Sequence, residues 1–268
     1  MTLQLDARQR AMLAEMGVRH FVPDPHLLRS EWGTPPSPPR QAGGIADLRP
    51  AIVKPAPEVE RGSVPVSQAA TEGTNLPQAA ALGWEDLAEA VAQCRACGLC
   101  EGRRNTVFGV GDRQAEWLVV GEAPGENEDR VGEPFVGPAG QLLDNMLAAL
   151  GVSRRQGAYI ANVLKCRPPG NRNPEPAEVA QCEPFLRRQV ELLQPKIILA
   201  MGRFAVHTLL QSDEPIGRLR GRVHRYLGVP VIVTYHPAYL LRNPADKAKA
   251  WADLCLAQAA LAGARDLT

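Results

Sequence analysis

Apolar residues along the chain fall into short unbroken runs that alternate with longer stretches of helical spacing. A short apolar run predicts a buried β-strand, and period-3.6 spacing predicts a helix. The predicted strands are EWLVVGEA (116–123), AYIANVLKC (158–166), KIILAMG (196–202) and PVIVTYH (230–236). This alternation is typical of a mainly parallel sheet with helices on both faces. We therefore predict a three-layer α/β/α fold with a central, mainly parallel four-stranded sheet.

The stretches between and around the strands predict the helices of the two outer layers. They are WEDLAEAVAQC (84–94), PAGQLLDNMLAALG (138–151), PEPAEVAQCEPFLRRQVELLQ (174–194), RFAVHTLLQ (203–211) and PADKAKAWADLCLAQAALAG (244–263). Pro138 near the start of the second and Gly151 just past its end are typical helix boundaries. The third is predicted to be mostly helical despite Pro184.

The N-terminal third differs in composition from the rest. Residues 22–65 contain ten prolines and few aliphatic residues, so this segment cannot bury enough apolar surface to offset its ordering entropy. We predict a short helix in 1–20, a Pro-rich disordered linker in 21–82 and a single folded domain in 83–268. The short helix could instead rest on that domain or fray; a docking helix on a tether would bind a protein that the sequence does not identify.

Charge is balanced overall but uneven along the chain. The totals are 30 Lys+Arg and 29 Asp+Glu; residues 130–249 hold 17 and 9, whereas residues 81–129 hold 4 and 10. A basic face fits a polyanionic partner, although it also fits ordinary solvation. The chain has no signal-peptide pattern at its start and no apolar run long enough for a membrane span. We expect a cytoplasmic monomer whose thiols stay reduced.

Five of the six cysteines have a spacing that suits a metal centre. Cys94, Cys97 and Cys100 follow one another at three-residue steps, and Cys166 and Cys182 lie further along the chain. A CxxC pair with two distant cysteines can hold a tetrathiolate zinc or an iron–sulfur cluster, and the spacing does not separate the two. Cys255 lies alone on an apolar helix face and is interpreted as a core residue.

Polar residues collect where the predicted strands end, the edge at which open α/β sheets bind ligands. The loop GEAPGENED (121–129) follows the first strand and carries four acids. Asn162 lies in the second strand, and His236 follows the fourth. Glu122 is the first choice for a chemical role because it lies at the strand end. The other acids, Glu126, Glu128 and Asp129, could instead cap a helix or order the loop.

The stretches GEAPGENEDRVGEPFVGPAGQLL, YIANVLKCRPPGNRNP and YHPAYLLRNP, with CRAC upstream, resemble the family 4 uracil-DNA glycosylases. The resemblance covers about residues 83–262. It implies a [4Fe-4S] cluster on Cys94, Cys97, Cys166 and Cys182, with Cys100 departing from the family pattern, so that a ligand swap stays open. It also implies a uracil pocket, with Phe135 as a stacking floor, Asn162 on the pairing edge, His236 near O2 and Glu122 near the scissile bond. Gly121, Ala123 and Glu128 would complete the substrate-binding set.

The same residues suit this chemistry on physical grounds. A base inside duplex DNA must be extruded into a pocket before an enzyme can act on it, and an aromatic face there contributes about 1–3 kcal/mol of stacking. Uracil presents an N3–H donor and an O4 acceptor, which a fixed Asn amide can match while opposing cytosine. A histidine can stabilise the departing anion, and a carboxylate can stabilise the cationic sugar or orient water.

DNA contacts are expected after His236 and on scattered basic residues. Leu240 or Leu241 could enter the base stack as an apolar wedge, and Arg242 could hold a phosphate. Further candidates for backbone contacts are Lys165, Arg167, Arg172, Arg218, Arg220 and Arg222.

Three functions are compatible with these features. The first is a monofunctional uracil-DNA glycosylase that starts base excision repair on single- or double-stranded DNA. The second is a non-catalytic DNA-binding or polymerase-associated module, and the third is an iron–sulfur electron carrier, which would leave the sheet motifs idle. The chain lacks the basic, His-containing insertion of a related uracil-trapping branch, so we expect turnover.

Overall fold

The computed structural model describes residues 79–265, so the predicted helix in 1–20 and the linker up to residue 78 lie outside the described residues. The helices are α1 (Trp84–Gln93), α2 (Leu99–Gly102), α3 (Glu126–Val131), α4 (Pro138–Ala149), α5 (Pro176–Leu193), α6 (Arg203–Leu210), α7 (Ile216–Leu219), α8 (Pro237–Arg242) and α9 (Lys247–Arg265), with 3₁₀ turns at Pro169–Asn171 and Pro244–Asp246. The strands are β1 (Val110–Gly111), β2 (Trp117–Gly121), β3 (Ala158–Asn162), β4 (Ile197–Met201), β5 (Val223–Tyr226) and β6 (Val229–Thr234).

The strands form one six-stranded sheet in the order β1-β3-β2-β4-β6-β5. The four predicted strands β3, β2, β4 and β6 are parallel neighbours and confirm the central sheet. Two short strands that the pattern did not predict, β1 and β5, add antiparallel to its two edges. The expected count of four is therefore too low for the whole sheet, although it is right for the parallel core.

Each face of the sheet carries its own apolar core because alternate strand residues point to opposite faces. Leu118 and Val120 of β2 pack in a core with α1, α2, α5, α6 and α7. Trp117 and Val119 of the same strand pack on the other face with α4, α8 and α9. This arrangement confirms the three-layer architecture.

The predicted helices are present, and their boundaries follow local chemistry. Pro138 opens α4 after Gly137, and α5 continues through Pro184 without interruption. The helices α3 and α8 are short and were not predicted; Pro237 opens α8, and His236 caps it. No helix within the described residues is long and apolar enough to cross a membrane.

Candidate active site and cysteine centre

The carboxyl ends of the parallel strands bring the predicted pocket residues to one edge of the sheet. Gly121 ends β2 and pairs in register with Asn162, which ends β3. Glu122 follows Gly121 directly, and His236 lies two residues beyond the end of β6. The sheet topology thus places a carboxylate, an amide and an imidazole at neighbouring strand ends.

Gly121 has neighbours too close for any side chain. A Cβ atom at this position would lie 2.6 Å from the Phe135 ring atom Cζ and would also overlap the Asn162 Oδ1. The edge of the Phe135 ring and the Asn162 Oδ1 therefore both lie next to the Cα of Gly121. Glycine at this strand end lets the two side chains approach each other.

Phe135 adopts a backbone conformation that favours glycine. Its φ is 55°, and its side chain is only 5% exposed. The ring stacks on the His236 imidazole, with centroids 5.3 Å apart and planes inclined by 27°. A left-handed conformation in a bulky residue costs on the order of 1–3 kcal/mol, so surrounding contacts must fix it.

Contacts from α4 and Arg154 hold the Phe135 backbone. Arg154 Nη2 donates to the Phe135 carbonyl at 2.8 Å, Nη1 donates to the Pro134 carbonyl at 3.2 Å, and Nε donates to Asp144 Oδ1 at 2.8 Å. Gly140 of α4 packs so closely that a Cβ there would overlap the Phe135 carbonyl. The aromatic ring is therefore presented by a backbone fixed from two sides.

Glu128 orders the acidic loop from within. Its Oε1 accepts from the backbone N–H groups of Val136 at 2.9 Å and Gly137 at 3.3 Å, and its Oε2 accepts from Gly125 N–H at 3.1 Å. Because both oxygens are used in this way, Glu128 connects the start of α3 to the segment that carries Phe135. The loop-ordering role left open by the sequence is the one its contacts support.

Asp129 has a similar position on the other side of α3. Its side chain is 3% exposed, and Oδ1 accepts from the backbone N–H of Arg104 at 2.9 Å. Asn105 Nδ2 donates to the Asp129 carbonyl at 2.8 Å. Two of the four acids between residues 121 and 129 thus accept hydrogen bonds from backbone N–H groups rather than facing an open site.

Asn162 carries a buried acceptor without a partner. The residue is 2% exposed, and its Oδ1 has no hydrogen-bond partner within the described part of the chain. Its backbone carbonyl accepts from Lys165 Nζ at 2.9 Å. A buried polar group left unpaired costs about 1–3 kcal/mol, so such a group marks a place where a ligand can supply the missing donor.

His236 is held as a neutral donor. Its Nδ1 accepts from the Ala238 backbone N–H at 3.2 Å, which leaves the ring proton of the neutral form on Nε2. The pKa of His236 is lowered to about 4, mainly because the ring is buried; the charge of Arg242 contributes to the lowering, and Glu128 acts in the opposite direction. At neutral pH the ring is therefore an uncharged N–H donor in the site.

Glu122 is half-buried beside an arginine that the sequence did not single out. Burial raises the pKa of Glu122, and the positive charge of Arg203 partly opposes that rise. Arg203 starts α6 directly after Gly202, where an added Cβ would lie 3.1 Å from the Cβ of His236. Ala123, the next residue after Glu122, is half-buried and packs against the core.

The segment after His236 separates the two candidate wedge residues. Leu240 is fully buried in the core beneath α8, whereas Leu241 is 44% exposed. Arg242 is exposed at the end of the same helix. The expectation that Leu240 contacts DNA is therefore wrong for this structure, because its side chain supports the helix, and Leu241 is the residue available to enter a base stack.

Some of the predicted phosphate contacts are engaged inside the protein. Lys165 is 1% exposed, and Arg220 Nε donates to the buried Asp253 at 2.8 Å. Arg172 forms a two-point pair with Glu178 at 3.0 and 2.5 Å. Lys165 is corrected to a structural residue, because a buried cation cannot meet a phosphate, and Arg220 is corrected because its guanidinium is paired with the buried Asp253. Arg167, Arg218 and Arg222 stay candidates.

Five cysteines line one cavity. Its wall includes Cys94, Cys97, Cys100, Cys166 and Cys182, together with Arg103 and Lys165. Cys94 directly follows α1, Cys97 lies in the turn between α1 and α2, and Cys100 lies in α2; Cys166 follows β3, and Cys182 lies in α5. Cys255 lies on the opposite face of the sheet, beside the second core, in agreement with its interpretation as a packing residue.

Two of the five cysteines in this cavity, Cys166 and Cys182, are buried and accept hydrogen bonds at sulfur, whereas Cys94, Cys97 and Cys100 are half-buried. Burial raises the pKa of Cys182 to about 12 and also raises the pKa values of Cys166 and Cys97. Arg103 Nη1 donates to Cys166 Sγ at 3.1 Å, and the Lys165 backbone N–H donates to Cys182 Sγ at 3.3 Å. Among residues 79–263, no three His, Cys, Asp or Glu side chains are placed to hold a single metal ion.

A family model of the uracil DNA glycosylase superfamily matches residues 108–255, which is more than half of the chain. The chain belongs to this superfamily. The matched range runs from just before β1 into α9 and so includes the whole sheet and the pocket residues. The resemblance stated from the sequence motifs is confirmed.

The chain is similar in sequence to members of two types of uracil-DNA glycosylase within this superfamily. The type-4 uracil-DNA glycosylase of Archaeoglobus fulgidus is 45% identical over 168 residues, covering 60% of this chain and 84% of the relative. That of Thermotoga maritima is 44% identical over 165 residues, covering 61% and 85%. The type-5 uracil-DNA glycosylase of Pyrobaculum aerophilum is 31% identical over 194 residues, covering 60% and 85%. The higher identity to type-4 members agrees with the motif resemblance.

Proposed function

We propose that the protein is a monofunctional uracil-DNA glycosylase, a hydrolase that releases uracil from DNA and starts base excision repair. The observation that carries the proposal is the buried Asn162 Oδ1, which has no donor among the described residues and lies beside the Phe135 ring at Gly121. The N3–H of uracil is a donor of the kind this oxygen lacks, whereas cytosine presents a lone pair at the same position. A site that leaves buried polar groups unpaired rejects the wrong base strongly.

Phe135 forms the floor on which the extruded base stacks. Its fixed backbone, held by Arg154 and Gly140, keeps the ring in place before the substrate arrives. A preorganised ring loses little conformational freedom when the base binds, so most of the stacking energy is available for affinity.

His236 stabilises the leaving group. When the bond between N1 of uracil and C1′ of the sugar breaks, the electron pair stays on the base, and its oxygens become more negative. The neutral imidazole offers its Nε2–H to O2, and the backbone of Ala238 fixes that tautomer. No reorganisation is needed at the moment of reaction, because the donor is held by α8.

Glu122 serves the sugar side of the reaction. A water oxygen adds to C1′, one water proton is taken up by a base, and uracil departs with the electron pair of the broken bond. The half-buried carboxylate of Glu122 can stabilise the cationic sugar or accept that proton, and its raised pKa makes it a better proton acceptor. Arg203 beside it balances the charge.

Leu241 and Arg242 contact DNA next to the pocket. The exposed Leu241 side chain fills the space that the extruded nucleotide leaves in the stack. Arg242, one residue further along α8, binds a neighbouring phosphate. Both lie on the helix that His236 caps, so base release and strand contact are built on one element.

We also propose that the cysteine cavity holds a [4Fe-4S] cluster through Cys94, Cys97, Cys166 and Cys182. The residues fit such a group, because five cysteines from three separate segments of the chain line one cavity. The N–H···S hydrogen bonds from Arg103 and Lys165 are of the type that tunes iron–sulfur centres. When bound, the cluster supplies a covalent crosslink between α1–α2, the loop after β3 and α5, and no redox step in base release.

One assay tests the proposed activity. The purified holoprotein is incubated with single- and double-stranded oligonucleotides that carry one uracil, followed by alkali to cleave abasic sites. Strand cleavage at the uracil position only after alkali is expected, because a monofunctional enzyme breaks the glycosidic bond alone. Absence of cleavage in both substrates, with the visible absorbance of the cluster intact, favours the non-catalytic DNA-binding module instead.

The domain boundary at residue 83, the linker before it, a monomeric state and a cytoplasmic location stay predictions. Within the described residues, Ala79 is buried against the core. A docking partner for the N-terminal segment also stays a prediction.

A further inference from the structure

Lys165 is a buried ammonium group whose three protons all meet neutral acceptors. Its Nζ donates to the Gln189 Oε1 at 2.6 Å, to the Asn162 carbonyl at 2.9 Å and to the Phe108 carbonyl at 3.3 Å. Gln189 is itself fully buried, and its Nε2 donates to the same Phe108 carbonyl at 2.9 Å. The side chain is thus fixed in one position.

No carboxylate offsets this charge in the part of the chain that the structure describes. Removing one partner from a buried ion pair costs several kcal/mol, because a charge is left uncompensated. The groups near Lys165 that can carry negative charge are the sulfurs of Cys166 and Cys182, and Lys165 is one of the residues that line the cysteine cavity. A group bound by four thiolates carries net negative charge, so its presence compensates the buried ammonium.

The same lysine touches the uracil pocket through Asn162. The five residues 162–166 run from the pocket amide to the cysteine Cys166, and the Lys165 backbone N–H donates to Cys182 Sγ. The intervening backbone is tied to the catalytic loop, since Val163 and Leu164 donate to the carbonyls of Gly121 and Glu122, both at 3.1 Å. One short segment therefore joins the two centres.

We propose that Lys165 is a positioning residue that couples the cysteine centre to base recognition. Its ammonium is the counter-ion of the anionic thiolate-bound group, and from that position it holds the Asn162 backbone so that the amide faces the extruded base. The inference rests on the proposed function of the pocket. Coupling between two sites is reciprocal, so base binding must also stabilise the cysteine-bound group.

The chain offers a matched pair of variants. Lys165→Met removes the ammonium and keeps an unbranched side chain of similar length. Arg103→Gln removes the other cation of the cavity, whose Nη1 donates to Cys166 Sγ and whose Nη2 donates to the Ala92 carbonyl, without any hydrogen bond to Asn162. Both variants weaken the charge balance of the cavity, but only the first breaks the connection to the pocket.

The measurement is the rate at which a chelator with an oxidant bleaches the visible absorbance of the holoprotein. It is made with and without a single-stranded oligonucleotide carrying 2′-fluoro-2′-deoxyuridine, whose sugar resists cleavage. We expect bound oligonucleotide to slow bleaching of the wild type about fivefold or more, the lower end of typical coupling between sites. Arg103→Gln should bleach faster yet keep this ratio, and Lys165→Met should lower it to near one.

Base-specific affinity provides the second readout. Lys165→Met should weaken binding of the fluorodeoxyuridine strand about tenfold, a typical loss for a misplaced hydrogen bond to a buried group, while binding of the same strand with thymine stays unchanged. A bleaching ratio in Lys165→Met equal to that of the wild type would overturn the inference. If this ratio is unchanged but the wild type still excises uracil, only the coupling inference fails, and the proposed function is unaffected.

A second variant decides the question if Lys165→Met does not assemble the cluster. Gln189→Glu keeps the lysine and places a carboxylate on the Nζ side where the amide oxygen now lies at 2.6 Å. The competing anion should draw the ammonium away from its other partners and lower the bleaching ratio. An unchanged ratio in a folded, cluster-containing Gln189→Glu protein would contradict the coupling.

Discussion

The rings of Phe135 and His236 stack with centroids 5.3 Å apart and planes inclined by 27°, although 100 residues of chain separate them. Phe135 comes from the loop between α3 and α4, and His236 caps α8 on the far side of β4. The proposed aromatic floor and the proposed donor for the leaving group are thus in contact in the protein without substrate.

Replacing Phe135 by Leu tests the stacking floor while keeping an apolar side chain in the site. We expect kcat/KM for uracil excision to fall about 10- to 100-fold, since base–aromatic stacking contributes about 1–3 kcal/mol. The melting temperature of each variant accompanies the kinetics, and Phe135→Tyr, which keeps the ring, is the matched control. Wild-type kinetics in Phe135→Leu would show that the Phe135 ring does not stack on the extruded base.

Gly121→Ala tests the close approach of the ring and the amide. The added Cβ would overlap Asn162 Oδ1 and lie 2.6 Å from Phe135 Cζ, so both side chains must move. Excision should fall by about 100-fold or more, because small displacements of positioned groups are costly. Gly217→Ala is the control, since a Cβ there meets nothing within 4 Å. Equal activity of the two variants would refute the proposed arrangement.

His236 makes stability depend on pH in a defined window. Its folded-state pKa of about 4 lies below the ordinary value of 6.5, so between these values the unfolded chain binds a proton that the folded protein does not. The free energy of unfolding should therefore fall as pH drops through this window. His236→Gln should remove that part of the slope in denaturant titrations at several pH values.

The control for this experiment is His207→Gln, which replaces a surface imidazole that is 51% exposed. It separates the loss of a buried imidazole from the loss of any imidazole. Identical pH profiles for the wild type and His236→Gln would mean that His236 is not held neutral by burial.

The cysteine pattern predicts which thiols bind iron. Cys97→Ser should lose the cluster and much of the stability, because a ligand is removed from a centre that joins three segments. Cys100→Ser should keep about the wild-type iron content, since the family resemblance assigns the four ligands elsewhere. The cluster content of each variant is measured as iron per chain and as visible absorbance. Loss of iron in Cys100→Ser with retention in Cys97→Ser would indicate that the two ligands are exchanged.

The parallel core of the fold was predictable because its strands are unbroken apolar runs buried on both faces. The edge strands were not. β1 is two residues long and ends at Gly111, and β5 alternates exposed and half-buried residues in VHRY. The hairpin between β5 and β6 turns at Leu227 and Gly228, both with positive φ. Leucine is unusual at such a position, so the turn left no local signal.

The placement of Glu122, Asn162 and His236 at one edge of the sheet was predictable, because each lies at or just after a strand end within a motif. Residues that act on the backbone of others leave no such pattern. Arg154 holds the Phe135 carbonyl from an otherwise ordinary surface turn, and Lys165 was expected on the surface because lysine is rarely buried. Two adjacent leucines, 240 and 241, could not be assigned to core or surface until the face of α8 was known.

The central claim is that the Asn162 amide selects uracil, and the most direct measurement is the ratio of uracil to cytosine excision in Asn162→Asp. Two single-stranded oligonucleotides that differ only in that base serve as substrates, with cleavage quantified after alkali. A carboxyl group loses the N–H donor that matches uracil O4 and gains an acceptor for the cytosine amino group. We predict that the ratio falls about 100-fold or more relative to the wild type. A ratio equal to that of the wild type would contradict the claim.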